Sequence, residues 1–412
     1  MKFNSLSLVL LMLTCVQVAV ANDMAARWTV SGFGTLGMLG SDSRELGFTR
    51  DRTQVSYYNS LDFTTDSRLG LQLDVNLSDR LHFTSQFVFR NHAGDFWEQN
   101  LEWGFLRWSV HPDINVRIGR IGADLFLLSD DRNVGFTYPW MRPPHEFYGN
   151  LPAYHFDGAD LVKTINLGEG LLRLKVFAGY TQNELATDRS DNIEFIAPAT
   201  GGNLIYETGN WRARIGYSYL SGSFATTSAY DQKLDLLNDP LINALVPNAN
   251  KLSPYFYLKD SPIHFFSMGA TYDDGLWLMH TEASYTNTNT VLAPSNASSY
   301  LSVGRRFGKF TLYSLYGLAY SFEKTVAIPT PLIQAPALDE LYQLANHTLN
   351  ENAIHEQSLS LGVRWDVFNN TAIKAQWSHY WFGRNGKDLW HTQYNDPSRQ
   401  SNIWSIGIDF VF

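Results

Sequence analysis

One pattern recurs along most of the 412 residues: short runs in which apolar and polar side chains alternate with period two. In 67–77, Leu69, Leu71, Leu73, Val75 and Leu77 alternate with Arg68, Gly70, Gln72, Asp74 and Asn76. After Ser78-Asp79-Arg80 the pattern resumes, with Leu81, Phe83, Phe87 and Phe89 set against His82, Thr84, Gln86 and Arg90. Period two gives an extended strand one apolar and one polar face, and two such runs around three turn residues make a hairpin. The chain ends the same way, with Trp404, Ile406, Ile408, Phe410 and Phe412 alternating with Ser405, Gly407 and Asp409. Sixteen strands are predicted, at 28–39, 67–77, 81–90, 101–110, 114–121, 157–167, 171–181, 202–208, 211–220, 263–272, 276–285, 298–307, 310–320, 357–367, 371–382 and 402–412.

The connections constrain the fold further. Gaps at 78–80, 111–113, 168–170, 209–210, 273–275, 308–309 and 368–370 hold two or three turn residues. Those at 40–66, 91–100, 122–156, 182–201, 221–262, 286–297, 321–356 and 383–401 are ten residues or longer, and short and long alternate strictly. A soluble sandwich has no reason to place every long loop at one end. A membrane barrel does, with short periplasmic turns, long extracellular loops and an even strand count. Strands of about ten residues, rising about 3.3 Å each and tilted roughly 40°, span about 25 Å, the height of an apolar band. The fold class is therefore all-β: one transmembrane antiparallel β-barrel of sixteen strands. Composition agrees. Charged residues make up 17% and aromatics 14%, against about 25% charged in a soluble domain. Aromatic rings on the lipid face prefer the two membrane interfaces. Net charge is −9, which disfavours nucleic acid as a partner.

Residues 1–21 read as a secretory signal: Lys2, then an apolar Leu6–Val18 stretch, then Ala19-Val20-Ala21 as the cleavage site. The mature domain is then 22–412. Cleavage removes Lys2, taking net charge to −10, and Cys15, the only cysteine. No disulfide or thiolate metal site is expected.

The terminal strand 403–412 resembles the assembly signal of outer-membrane barrels, carried by Trp404, Ile406, Ile408, Phe410 and Phe412. Ile114-Asn-Val-Arg-Ile-Gly-Arg120 resembles the strand of Gram-negative general porins that ends in Gly-Arg before the third loop. With sixteen strands and a long third loop, the whole mature chain resembles that family. The resemblance implies an integral outer-membrane protein that forms homotrimers and is inserted into lipid by the barrel-assembly machinery. It also implies a third loop folded into the lumen and passive diffusion of small hydrophilic solutes and ions. The third loop departs from the family in Tyr138-Pro-Trp-Met-Arg-Pro-Pro-His-Glu146, which is aromatic and proline-rich.

A channel works through its lining charges. By phase, the inward bases are Arg68, Arg90, Arg107, Arg117, Arg173, Lys175, Arg212, Arg214, Arg306, Arg364 and Lys374, eleven in all, against six inward acids: Asp74, Asp160, Glu207, Glu282, Asp366 and Asp409. Loop 122–156 supplies Asp124, Asp130, Asp131, Arg142 and Glu146. Its acids are expected to face the basic wall across the pore and set up a transverse field; the bland alternative is local ion pairs. Tyr138 and Trp140 suggest a stacking track, the mark of a substrate-selective channel for sugars or aromatic and organic acids. A barrel enzyme or an adhesin is a further alternative. Gly32-Phe-Gly-Thr-Leu-Gly37 matches a dinucleotide pattern, but it sits in a strand with no following helix. His379, on the apolar phase near the outer rim, is where a barrel lipid hydrolase could keep a catalytic His. No catalytic motif, metal site or cofactor is expected, and the chain is not expected to be an enzyme. Short loop helices are expected around 234–245 and 336–346.

Overall fold

The computed structural model describes residues 27–412 except 44–45, 56–60, 95–98, 187–192, 226–233, 323–325, 351–352, 388 and 393–397. The expected signal segment, with Ala19 and Ala21, lies outside the described residues. Sixteen long strands form one antiparallel sheet closed on itself. In chain order they are β1 Trp28–Ser41, β2 Arg68–Asn76, β3 Leu81–Arg90, β4 Leu101–His111, β5 Ile114–Gly122, β6 His155–Leu167, β7 Gly170–Leu185 and β8 Ile193–Thr208. Then follow β9 Trp211–Ala225, β10 Ser261–Asp273, β11 Trp277–Thr288, β12 Asn296–Phe307, β13 Phe310–Ser321, β14 Ile354–Phe368, β15 Thr371–Lys387 and β16 Gln400–Val411. Each pairs with its sequence neighbour, and β1 closes the ring against β16 from Phe33↔Val411 to Ser41↔Ile403. Closure leaves no unpaired edge. Three two-residue strands are unnumbered; of these, Leu46–Gly47 and His391–Thr392 pair outside the barrel.

All sixteen predicted strands are present. Several run further at the long-loop end than the alternation indicated, and the correction is largest for β8, which begins at Ile193 rather than 202. The expected loop 182–201 is instead mostly ladder, with Ala197 opposite Thr181 and Ala199 opposite Gly179. There, Phe195 and Ala197 are buried inside the barrel, so an apolar outer face no longer decides the pattern. The β8–β9 ladder omits the two pairs at Ala197 and Pro198, where proline lacks the N–H.

The outer wall is a belt of exposed apolar side chains, among them Leu71, Ile118, Val176, Ile215, Met268, Leu312, Leu361 and Ile408. Rings gather toward the short-turn end: Trp211 packs on Tyr272, Phe310 stacks on Trp365, and Phe410 on Phe412. The Gly32/Gly34 motif belongs to this face. A Cβ on Gly34 would run into the Phe410 ring, and one on Gly32 into the Phe412 ring. The glycines therefore seat the terminal aromatics across the closing seam, the device by which a ring covers a strand glycine. Tight turns use left-handed glycines, as at Gly209 (φ 52°) and Gly308 (φ 61°). No helix among the described residues is long and apolar enough to cross a membrane.

The loops carry the helices. α1 is His145–Tyr148, α2 Pro240–Leu245 and α3 Pro336–Asn350. Asp239 caps α2 by accepting from the Leu241 and Ile242 amides, with Pro240 in its first turn. Leu237, Val246, Leu252 and Phe256 bury against Leu338, Ala345 and Leu349 of α3. This cap of loop segments thus has an apolar core of its own.

Candidate functional site

The third long loop, 123–154, lies in the lumen. Its contacts run around the wall rather than along one side of it. Asn203 of β8 and Arg214 of β9 donate to the Asp124 carbonyl, and Ser267 of β10 to that of Leu125. The Leu127 amide donates to Glu282 of β11 at 2.7 Å, and Trp140 Nε1 to Ser302 Oγ of β12 at 2.7 Å. The Met141 amide donates to Gln376 of β15, and Arg142 to Ser405 of β16. Arg364 of β14 donates to the Phe136 and Tyr138 carbonyls. Lys374 of β15 donates to the carbonyls of Gly135, Tyr138 and Trp140 at 2.6–2.7 Å. Backbone carbonyls pushed into a low-dielectric interior need such partners.

The loop also builds an aromatic core inside the barrel. Phe126 lies edge-on to Phe147 and to Phe265 of β10, and Trp140 edge-on to His280 and Tyr300 of β11 and β12. Tyr138 stacks on Trp140 at 5.8 Å. Tyr138 and Trp140 are each 1% exposed, so neither ring offers a face to a passing solute. The sequence expectation of a stacking track on these two rings is corrected: they hold the loop together.

The charges are also arranged differently from the expectation. Asp124 does not face the wall across a gap. It pairs with Lys175 at 3.2 Å and Arg214 at 3.4 Å, and these cations hold its carboxyl below the ordinary range despite its burial. The wall bases have counter-charges close by: Arg117 with Asp160, Arg173 and Arg212 with Glu207, Arg306 with Asp273, Arg364 with Asp366, Lys374 with Asp409, and Arg90 with Asp51. Arg68 is met by neutral oxygens, those of Asn133, Asp66 and Tyr138, at 2.6–3.0 Å. Counting charges by phase made the wall look basic; a half-buried cation without a partner is costly, so most of these have one. Arg107 is exposed near the short-turn end.

Asp130 and Asp131 stand apart. Asp130 is exposed and Asp131 half-buried. Among the described residues neither makes an ion pair. The charge of Asp130 acts on Arg117 of β5, and that of Arg212 of β9 on Asp131. Burial and the neighbouring Asp130 raise the Asp131 carboxyl. These two are the loop acids still open to water opposite wall arginines.

Arg142 and Glu146 are buried at the far end of the loop. Arg142 donates to Asp66 at 2.8 Å through Nε. Glu146 carries no such cation; burial and Glu356 raise its carboxyl to about 7. Asp66, Glu102, Glu282 and Glu356 anchor the loop and were not singled out as anchors in the sequence. Asp66 and Glu356 fall in stretches read as loops, and Glu102 sits at the β3–β4 register shift, where alternation fails.

His379 lies on the outer face. Its Nδ1 is 2.8 Å from Asn402 Oδ1, and its ring lies between those of Trp377 and Trp381. No serine hydroxyl among the described residues bonds it.

No family model matches the sequence, and no curated protein matches it. Solved structures do match in shape. An anion-selective porin from Comamonas acidovorans superposes with a TM-score of 0.51 at 13% identity, over 93% of this chain and 99% of that one. OmpF of Salmonella typhi, in complex with daunomycin, gives 0.53 at 10% identity, over 93% and 97%. The outer-membrane channel DcaP of Acinetobacter baumannii gives 0.52 at 13% identity, over 94% and 98%. At such identities the likeness concerns the fold. The chain has the fold of Gram-negative porins: a closed antiparallel barrel of sixteen strands.

Proposed function

We propose that the protein is an integral outer-membrane channel through which small hydrophilic solutes and ions diffuse passively, constricted by loop 123–154. The observation that carries this reading is the inversion of the barrel: apolar side chains outside, and inside a wall of paired charges with a loop laid across it. Asp130 and Asp131, facing Arg117 and Arg212, form the charged passage. No energy source or cofactor enters the reading. By likeness of fold the channel is a homotrimer, delivered by a cleaved signal and inserted by the assembly machinery through its C-terminal strand.

Planar-bilayer recordings on purified protein test it, with the reversal potential read in a salt gradient. Discrete conductance steps are expected. Converting Asp130 and Asp131 to Asn should shift the reversal potential toward anion selectivity by several millivolts; an unchanged value would remove these acids from the passage. Absence of steps under every condition would favour an adhesin or a barrel enzyme.

A second reading, a substrate-selective channel, is favoured by how many wall strands the loop touches, which fixes the shape of the passage. Block of the current by one solute class, saturating with concentration, is its signature.

A further inference from the structure

One group in the lumen plays no part in the charged passage. The one-turn helix α1 places His145 and Glu146 against the wall, 2% and 1% exposed. Pro143 and Pro144 precede it and fix its approach. His145 Nδ1 lies 3.1 Å from Glu356 Oε1 on β14. The other oxygen of Glu356 accepts from Trp390 Nε1 at 2.9 Å. Trp390 belongs to the last loop, so one wall carboxylate holds both the third loop and the loop above it. Phe48 of the first loop completes the lid, 4.9 Å from the His145 ring and 5.0 Å from that of Trp390.

Glu146 sits beside this anchor. Its carboxyl occupies the space over Gly317 of β13, where any Cβ would collide with it. Gly317 pairs with Ser358, and the next inward pair on the same face is Ala319 with Glu356. The Glu146 carboxyl therefore lies over the strand position next to the one that carries Glu356. The charged and titratable groups around Glu146 are Glu356 on β14, Tyr380 on β15, and His145 and Arg142 on its own loop. Arg142 is committed to Asp66. Glu146 Oε1, His145 Nε2 and Arg142 Nη1 are buried without a hydrogen-bond partner. Ionising both carboxyls at once is costly, since two like charges in such a place repel without solvent to screen them, and His145 and the Ser358 hydroxyl offset only part of that.

We propose that Glu146, beside Glu356, forms a proton-operated latch: a proton on Glu146 locks the third loop across the lumen, and its loss drives α1 off the wall and widens the channel. This rests on the channel reading for its effect on current, but not for the movement itself. Burial first, and Glu356 second, put the Glu146 carboxyl at about 7 rather than its ordinary 4.5. A raised acid favours the packed loop at low pH, and that preference is lost as pH rises through about 7. Between pH 5 and pH 8 the ratio of packed to released loop should fall on the order of a hundredfold.

Two measurements test the latch. In bilayers, the wild-type current should rise steeply from pH 5 to pH 8, and Glu146→Gln, which stays neutral, should hold the low current at every pH. A Glu146→Gln channel that keeps the wild-type pH profile overturns the proposal. The second measurement needs no current. Cys15 is the only native cysteine, and Leu151, just beyond α1, is 7% exposed. A thiol reagent of pH-independent reactivity should label Leu151→Cys faster at pH 8 than at pH 5, and the added Glu146→Gln change should abolish the difference. Labelling equal at both pH values overturns the latch even if the channel conducts. A pH-dependent label without any conductance supports the latch and counts against the channel reading.

Discussion

Lys374 is fully buried on β15, and its ammonium group is the meeting point of three loop carbonyls and the Asp409 carboxylate, the last at 2.9 Å. A lysine can serve this way because it has three donors on one compact head. Lys374→Met keeps the apolar stem and removes every one of these bonds, leaving a buried carboxylate unpaired, a cost of roughly 3–5 kcal/mol. The barrel should survive and the loop should not stay put. The expected result is a larger single-channel conductance with unchanged mobility of the unheated protein on a gel; an unchanged conductance would mean the other anchors suffice. Asp130 and Asp131 are the contrasting case, since their substitution should alter selectivity and leave stability within about 0.5 kcal/mol, as for surface changes.

Among the elements, the cap and the third loop behave oppositely. The cap buries its own core between α3 and the segment before it, so it depends little on the wall. Replacing 234–256 and 326–350 with short polar linkers should leave the thermal midpoint of the barrel within a few degrees, measured by loss of the compact gel band. The third loop has no such independence: its rings pack on Phe265 and Tyr300 of the wall and its carbonyls are met by wall side chains. The sequence indicates this difference only in part. A proline start and helical spacing mark α3 in the chain itself. Nothing local marks where 123–154 lies, because its partners come from strands as distant as β16.

Over the whole molecule, the decisive contact is the seam between the two ends of the sheet. Gly34 opposes Phe410 in the β1–β16 register, and the ring occupies the space a side chain at 34 would need. Gly34→Val should displace Phe410, disturb closure and lower the yield of compact, heat-modifiable barrel severalfold; a normal yield would show that the seam tolerates the loss of ring cover. The residues flagged as an assembly signal, from Trp404 to Phe412, are thus also half of the closing joint.

Strand number, the end at which the long loops gather and, where the two faces of a strand differ in polarity, the face each residue takes were determined by the sequence itself, because period two and turn residues are local properties. Tertiary structure alone decided which charges neutralise one another, that Tyr138 and Trp140 are core rather than track, and that Glu146 comes to rest beside Glu356. His145 and Glu356 are 211 positions apart in the chain. Such a pairing follows from how a loop threads a closed barrel, and no local pattern encodes it.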